Sequence, residues 1–550
     1  MNNQTHPRVD AFNHQPFREP DPIAGHANTT IRGLLPGWIC RAVVALTIAT
    51  AWPAPAAAAE EDKLWMPAIF ADGMVLQRQM PVPLWGRCEP GSTVSVSLRD
   101  ADEKTASAGS VVAAATGRWR VDLAALAAGG PYSLTVEAQG RGATDKQHKT
   151  FAKVLVGEVW IVCGQSNAGF QVGTSAERED AVAQQKNYPL IRVARAGRAN
   201  PHEITEPQED VGNGKSVGWS DTAQNLGSCS AVGYYFARDL SRWLDAKVPV
   251  GVIELIAILP VQSWVDESVL EKVPELASLK GKPYPSATSR AYKANIAPLA
   301  PYAVRGVVYY QGEMNGKGCV TYYHGLKAMM ASWRGAWGNS EMPFLLVQLP
   351  GHLVHQAGKS ELDMDAKSVA EAAGRNSFHP FSGLREAAAR VKDEDPRVGL
   401  AVTIDVGEKL DIHPPRKRPV GERLALQARK IVYGDKTVVA DGPIAREFRR
   451  EGAGFVVGFD GVGGGLVAHG GPAGFEVCAA DGIWHEATAV IRGTTVEVRA
   501  AKVTEPAGVR YAWAGYPEAT LYNKEGLPAR PFRYPAVELR VIQKECQPAQ

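Results

Sequence analysis

A chain of 550 residues is longer than one hydrophobic core usually supports, so we expect roughly two to four domains. Its 45% hydrophobic content is typical of soluble globular proteins. The formal net charge of +2, with lysine and arginine scattered along the chain, excludes a strong basic field for nucleic acid and an acidic field for cationic partners.

The first 59 residues differ in composition from the rest. From Arg41 the sequence continues AVVALTIATAWPAPAAAA and then becomes acidic at Glu60. A basic residue, a short apolar core and small residues at its end predict a secretory signal peptide. The run is too short and too interrupted by proline for a good membrane span. We therefore expect a leader at residues 1–59, a secreted or periplasmic protein, and no stable membrane span in the mature chain. A signal anchor is the alternative.

Cysteine usage predicts no metal site. One of the seven cysteines, Cys40, lies in the expected leader, and the other six are widely spaced without a CxxC or zinc-like pattern. In an exported protein, one or two disulfides and buried free thiols are both compatible with this spacing.

Residues 60–150 have the pattern of a β-sandwich-like domain. Apolar and polar residues alternate over 94–98 and again over 132–136, which is the two-residue period of half-buried strands. No cluster of acidic residues or histidines indicates chemistry in this segment. We expect it to support or position the next domain.

Residues 151–434 change to continuous apolar runs that alternate with helix-period segments. The runs are 154–163, 248–259, 304–310, 343–349 and 398–406. Strands without polar alternation are buried on both faces, as in a parallel sheet covered by helices. The segment 351–380 is polar and irregular, with three histidines that we expect to be solvated: His352, His355 and His379.

After residue 434 the chain returns to short strands between glycine-rich turns, which predicts a second β domain at 435–550. The predicted fold class is therefore α/β. A central doubly wound parallel sheet, at 151–434, is flanked by the N-terminal β domain at 60–150 and by the C-terminal β domain.

Three predicted strands of the central domain end in polar residues. These ends read Gln165-Ser166-Asn167, Gln311-Gly312-Glu313-Met314-Asn315 and, shortly after the last strand, Asp411-Ile412-His413-Pro414. Open α/β sheets place their chemistry at the carboxyl ends of the strands. Taken singly, the first is also compatible with a plain strand-to-helix loop, the second with a turn, and the third with a solvated pair or part of a metal site. Their joint occurrence in one domain favours a site.

Ester hydrolysis by serine needs a base, a carboxylate that orients it, and donors for the oxyanion. Ser166 can supply the hydroxyl and its own backbone N–H. His413 can supply the base, with Asp411 two residues away as its orienting acid. The amide of Asn315 is a candidate oxyanion donor. The sequence therefore predicts a serine esterase without a metal site.

These motifs resemble the sialate O-acetylesterase family of SGNH hydrolases. The resemblance lies in WIVCGQSN at 160–167, YYQGEMN at 309–315 and DIHP at 411–414, and it extends to 66–77, 230–236 and 521–528. The resemblance implies a secreted esterase that removes acetyl groups from sialic acids or related sugars and uses no cofactor. By position, Ser166 matches the nucleophile, Asn315 an oxyanion residue and His413 the base. The two-residue spacing of Asp411 differs from the usual DxxH, so Asp405 is a reserve orienter.

One segment departs from the family pattern. After the strand at 249–253 the family usually has a Gly-Gly-Thr type turn that donates a second N–H to the oxyanion, whereas this chain has ELIAILPVQSW at 254–264. A β-branched residue such as Ile258 resists the positive φ that glycine permits. The backbone N–H of Ala257 or Ile258 is the replacement if the turn is rebuilt. Loss of one such donor typically costs ~10²–10³ in rate.

The candidates for substrate binding are Gln165, Asn167, Trp264 and Glu313. Trp264 is also compatible with a core position, and Glu313 with a role in fixing its own loop.

The leading hypothesis is an esterase acting on O-acetylated sialic acid. An esterase acting on another acetylated polysaccharide, such as xylan, is the first alternative. A catalytically weak sugar-binding protein, suggested by the missing glycines, is the second.

Overall fold

A computed structural model describes residues 63–140, 142, 146–197, 201–212, 217–282, 287–316, 318–353 and 380–546. The chain from residue 61 onward forms one compact unit. The expected leader at residues 1–59 and the expected solvated positions of His355 and His379 lie outside the described residues.

The amino-terminal part is built of antiparallel strands, as its alternating sequence predicts. The strands are β1 Val75–Gln77, β2 Val82–Arg87, β3 Thr93–Arg99, β4 Thr105–Val112, β5 Arg118–Leu123, β6 Gly129–Gln139 and β7 Lys146–Gly164. β2 pairs with β5, β3 pairs with β4 and β6, and β6 pairs with the first part of β7. β1 pairs with β7 in parallel.

The long strand β7 connects this part to the central sheet. Its first residues alternate in exposure, and from Val154 onward every residue is buried. The boundary expected between residues 150 and 151 falls inside this strand. Apolar side chains of the β region and of the central sheet also belong to one continuous core.

The central region alternates strands and helices. After β7 it contains α1 Arg178–Gln184, β8 Ile191–Arg195, β9 Trp219–Asp221, α2 Thr222–Asn225, α3 Ala231–Trp243, β10 Val250–Ile256, α4 Glu267–Leu270, α5 Pro274–Ala277, β11 Gly306–Tyr310, α6 Cys319–Trp337, β12 Phe344–Val347, α7 Phe381–Glu394, β13 Val398–Ala401 and α8 Arg418–Ile431. The strand order is β13-β12-β11-β7-β10-β8-β9, and every neighbouring pair except β8–β9 is parallel. Each of the five predicted apolar runs overlaps one strand of this sheet. The expected parallel sheet is therefore confirmed.

Local sequence explains where the main helices begin and end. α3 begins after Ser230, whose hydroxyl accepts the Gly233 N–H at 3.0 Å, and its residues 231–241 are buried. α6 ends at Gly338, which adopts the left-handed conformation (φ 61°) that glycine tolerates best at this position. α3 packs against β10 of the sheet.

The carboxy-terminal part is again mostly antiparallel β structure. It contains β14 Ile444–Glu451, β15 Gly454–Asp460, β16 Leu466–Ala468, β17 Phe475–Cys478, β18 Trp484–Glu486, β19 Thr488–Arg492, β20 Thr495–Arg499, β21 Gly508–Tyr511, β22 Leu521–Asn523, β23 Phe532–Tyr534 and α9 Leu539–Glu545. Its strands enclose a separate hydrophobic core. Two buried residues of α9, Leu539 and Ile542, pack instead into the main core.

Three further observations bear on the sequence-based expectations. Within the described ranges, no helix is both long enough and apolar enough to cross a bilayer. All six cysteines of the part that the structure describes are free thiols. The expectation of a solvated His352 is wrong, because its side chain is buried, with 1% exposed, beside Phe381.

Candidate active site

The turn that carries Ser166 is built on a glycine. β7 ends at Gly164, which has a φ of 136°, and a Cβ at this position would lie 2.0 Å from the carbonyl oxygen of Tyr310. Only glycine fits such a close backbone approach. The chain then turns, and the Gly169 N–H donates to the Gln165 carbonyl at 3.1 Å. Ser166 is thereby held, half-buried, at the carboxyl edge of the sheet.

His413 lies beside this hydroxyl although 247 residues separate the two in the chain. Its Nε2 is 2.8 Å from Ser166 Oγ, which is hydrogen-bond distance. Burial lowers the pKa of the His413 imidazole, Asp411 raises it and Lys417 lowers it. Burial therefore favours the neutral ring, which is the form that accepts a proton from the serine.

Asp411 supports His413 less directly than in a tightly bonded triad. Its Oδ1 is 4.0 Å from His413 Nδ1, and 53% of its side chain is exposed. The same oxygen accepts the backbone N–H of His413 at 2.7 Å. Asp411 therefore fixes the loop of His413 and acts on its ring through space.

Asp405, the alternative carboxylate for orienting His413, is paired with Arg423 instead. Its two carboxylate oxygens accept from the Arg423 guanidinium at 2.6 and 2.7 Å. This fork-to-fork pair joins Asp405 to α8. The structure does not support Asp405 as the partner of His413.

The prediction that Ala257 donates to the oxyanion is wrong. Its N–H donates to the Gly164 carbonyl at 2.8 Å, which extends the β7–β10 ladder by one bond. The following residue, Ile258, is different: its side chain is 51% exposed, and its N–H has no hydrogen-bond partner in the part of the chain that the structure describes. Of the two amides proposed from the sequence, only the Ile258 N–H is available.

One of the two N–H groups of the Asn315 amide has no acceptor among the residues that the structure describes. Its Oδ1 accepts from the Val261 N–H at 3.0 Å and from Gln311 Nε2 at 2.9 Å, so the orientation of the amide is fixed. Its Nδ2 donates to Gln262 Oε1 at 3.2 Å. A side-chain amide has two N–H donors, so the second remains for a substrate oxygen.

Two of the candidates for substrate binding are interior residues. Gln165 is 4% exposed, and its Oε1 accepts from Gln311 Nε2 at 3.2 Å and from the Met314 N–H at 3.3 Å. The Trp264 side chain is completely buried against Tyr309. Gln165 therefore ties two strand ends together, and the structure does not bring Trp264 to the surface of the site.

The other two candidates, Asn167 and Glu313, are buried in a polar network behind Ser166, with 1% and 3% of their side chains exposed. Asn167 Nδ2 donates to Glu313 Oε1 at 2.6 Å and to the Ile412 carbonyl at 2.9 Å. Its Oδ1 accepts from Lys417 Nζ at 2.6 Å. These residues join the three strand ends that the sequence singled out.

Sequence reasoning missed Lys417. It lies in the basic run PRKRP at 415–419, a pattern typical of a solvated surface, yet its side chain is completely buried. Burial lowers the pKa of its ammonium group to about 7, against the opposing effects of Glu313, Asp411 and Glu177. Burial raises the pKa of the Glu313 carboxyl, so it favours the neutral form of this group as well. The only feature of the sequence that could have suggested a role for Lys417 in the site is its position four residues after His413.

No group of three or more His, Cys, Asp or Glu side chains in the described segments is arranged to hold a metal ion. The polar groups around Ser166 and its neighbour Asn167 are one imidazole, amides, one lysine and two carboxylates.

A serine hydroxyl within hydrogen-bond distance of a histidine, at the carboxyl edge of a parallel sheet, is the arrangement of a hydrolase. Comparison with known proteins defines the class further. A family model described as a carbohydrate esterase, sialic acid-specific acetylesterase, matches residues 156–377. The chain belongs to the sialate O-acetylesterase family of carbohydrate esterases.

Individual relatives agree with this assignment. The chain is 29% identical over 400 residues to the sialate O-acetylesterase of Homo sapiens, covering 68% of this chain and 71% of the relative. It is 27% identical over 438 residues to that of Rattus norvegicus, covering 68% and 74%. The chain also matches the crystal structure of a carbohydrate acetylesterase from Xanthomonas citri, with 34% sequence identity and a TM-score of 0.73. This match covers 86% of this chain and 100% of that one.

Proposed function

We propose that this protein removes acetyl groups from O-acetylated sialic acid, with Ser166 as the nucleophile and His413 as the general base. The observation that carries the proposal is the 2.8 Å distance between Ser166 Oγ and His413 Nε2. The hydrogen bonds of Asn167, which follows Ser166, to Glu313 and to the Ile412 carbonyl link the segments of all three motifs and support an SGNH-type hydrolase architecture. The names of the mammalian relatives support sialic acid as the sugar.

The first half of the reaction follows from these positions. His413 Nε2 takes the proton of Ser166 as Oγ attacks the acetyl carbonyl. The resulting oxyanion is stabilised by the Ser166 N–H and the free N–H of Asn315. When the intermediate collapses, the bond between the acetyl carbon and the sugar oxygen breaks. His413 gives its proton to this oxygen, so the sugar leaves with a free hydroxyl. An acetyl-serine remains.

The second half repeats these roles with water. His413 takes a proton from water, whose oxygen attacks the acetyl-serine carbonyl, and acetate leaves as Ser166 recovers its proton. We propose the Ile258 N–H as a further oxyanion donor in both halves, because it has no protein partner among the described residues and lies two residues after the end of the strand β10.

A second candidate substrate class is an acetylated polysaccharide such as xylan. The Xanthomonas citri neighbour, which matches over most of this chain, is named only as a carbohydrate acetylesterase. The 254–264 segment, which lacks the family's glycines, also lies next to the site. A catalytically weak sugar-binding protein is the third candidate.

The variant Ser166→Ala tests the mechanism, and Ser278→Ala, which changes an exposed serine, is its matched control. Acetate release is measured from 9-O-acetyl sialic acid and from acetylated xylan. We expect a folded Ser166→Ala protein without turnover and a control with full turnover. Undiminished release by Ser166→Ala would rule the mechanism out. Preferential release from xylan would replace sialic acid by the second substrate class, and glycan binding without any release would favour the sugar-binding protein.

We also propose that residues 1–59 are removed on export to the periplasm or the medium, and that 60–150 and 435–550 act as β domains around the catalytic part at 151–434. The composition of residues 41–59 and the separate carboxy-terminal core support these two proposals. Mass spectrometry of the exported chain tests the first of them.

A further inference from the structure

Behind the serine–histidine pair lies a buried lysine that the reaction outlined above does not use. Lys417 Nζ donates to Asn167 Oδ1 at 2.6 Å, and no part of its side chain is exposed. We propose that Lys417 is a positioning residue for ester hydrolysis: through the amide of Asn167 it holds the turn of Ser166 against the loop of His413. This inference rests on the proposed function of Ser166 and His413.

The argument begins with the geometry of Asn167, which directly follows Ser166 in the chain. Its Nδ2 donates to the carbonyl of Ile412, the residue directly before His413, at 2.9 Å. The same nitrogen donates to Glu313 Oε1 at 2.6 Å. One side-chain amide therefore holds together the backbone segments of the nucleophile and of the base.

Lys417 reinforces the direction in which this amide points. An ammonium group only donates hydrogen bonds, so the atom of Asn167 that faces it must be the oxygen. The two amide protons are thereby directed to Ile412 and Glu313, both of which present acceptors. Without the ammonium group, the Asn167 oxygen would lose this donor, and only the two acceptors on the other side would hold the amide and its bond to the Ile412 carbonyl in place.

Burial of an ammonium group is costly, and here several groups offset the cost. Glu313, Asp411 and Glu177 all favour the charged form of Lys417. Its Nζ also lies 4.7 Å from the ring centroid of Phe170 and 5.5 Å from that of Tyr310. A methionine would fill the same volume without the desolvation penalty. The presence of lysine thus points to a function rather than to packing.

The charge of Lys417 also acts on the base. The groups that shift the pKa of His413 are Asp411, which raises it, and Lys417, which lowers it together with burial. Below about pH 7 the Lys417 ammonium is protonated, so it opposes protonation of His413 in the range where esterase activity would otherwise fall. Removal of this charge must raise the pKa of His413.

The kinetic test compares the variants Lys417→Met and Lys409→Met, the second of which changes an exposed lysine of the same segment. For Lys417→Met we expect kcat to fall about 10- to 100-fold, since small displacements of reacting groups cost this much. We expect KM to stay within about twofold and the acid limb of the kcat/KM profile to move to higher pH. Lys409→Met should match the wild type. An unchanged kcat, or a reduced kcat with an unmoved acid limb, would overturn the proposal.

A second measurement does not depend on turnover. In the Ser166→Ala background, NMR titration gives the pKa of His413 with and without Lys417→Met, and we expect a higher value when the lysine is absent. An unchanged pKa would overturn this inference, whereas retained turnover by Ser166→Ala itself would overturn the proposed function. Lys417→Arg serves if Lys417→Met does not fold. It keeps the charge, so His413 should keep its pKa while kcat falls, and a raised pKa or an undiminished kcat would contradict the account.

Discussion

The weak contact between Asp411 and His413 gives a quantitative prediction for the variant Asp411→Asn. The asparagine oxygen can still accept the His413 backbone N–H, so the loop should keep its shape and only the charge is removed. The two side chains are 4.0 Å apart, and more than half of Asp411 is exposed. The substitution therefore isolates an electrostatic effect through solvent.

The size of the effect follows from this distance. Two unit charges 4 Å apart interact by about 1 kcal/mol in water and by about 4 kcal/mol at an effective dielectric constant of 20. For a half-exposed carboxylate we expect the lower part of this range, about 1–2 kcal/mol of stabilisation of the imidazolium in the transition state. Asp411→Asn should therefore lower kcat/KM about 5- to 30-fold. A directly bonded triad carboxylate is worth about 10⁴.

The assay is the pH profile of kcat/KM on an acetyl ester. Because Asp411 raises the pKa of His413, its removal should move the acid limb to lower pH, opposite to the shift expected for Lys417→Met. Asp405→Asn is the control: it breaks the pair with Arg423 and should lower stability while leaving the acid limb in place. A rate loss of about 10³ or more for Asp411→Asn would refute the reasoning, because it would require a direct bond between Asp411 and the ring during the reaction.

Three further predictions test other parts of the molecule. Asn315→Asp keeps the acceptor for the Val261 N–H but removes the free donor, so we expect kcat to fall about 10²–10³-fold in steady-state assays, and a loss below about tenfold would exclude an oxyanion role. Trp264→Phe should lower the free energy of unfolding by about 1–3 kcal/mol in urea titrations and leave KM unchanged, whereas a raised KM would place this ring against substrate. For Lys417, the unfolded chain binds a proton up to about pH 10.5 and the folded chain only up to about 7. The stability of the wild type relative to Lys417→Met should therefore rise between these pH values, by up to about 1.4 kcal/mol per pH unit, and a constant difference would contradict the lowered pKa.

The sequence predicted the strands of the central sheet because their signal is local. A run such as 154–163, apolar without alternation, is compatible with few structures besides a strand buried on both faces, and β7 confirms it. The rule that chemistry lies at the carboxyl ends of parallel strands then predicted that Ser166 and His413 lie close together, and the structure places them in contact. Residue pattern and topology were sufficient for these two.

The sequence could not predict the oxyanion donors or the buried network around Lys417. Both depend on the direction of backbone N–H groups and on burial, which residue types do not specify. Ala257 and Ile258 are adjacent and both apolar, yet only the first continues the ladder with Gly164. Lys417 lies in a basic run that resembles a solvated surface, and the fold buries it over two aromatic rings. His352 and Trp264 are buried for the same kind of reason, since long-range packing decides their exposure.

The most direct test of the central claim is to identify the residue that acts as the nucleophile. A fluorophosphonate, which mimics the tetrahedral intermediate and traps activated serines, is reacted with the full chain, and the modified peptide is sequenced by mass spectrometry. We expect a single adduct at Ser166, lost in Ser166→Ala and slowed in a His413→Ala variant. An adduct at another residue, or labelling of Ser166 at the same rate without His413, would contradict the account.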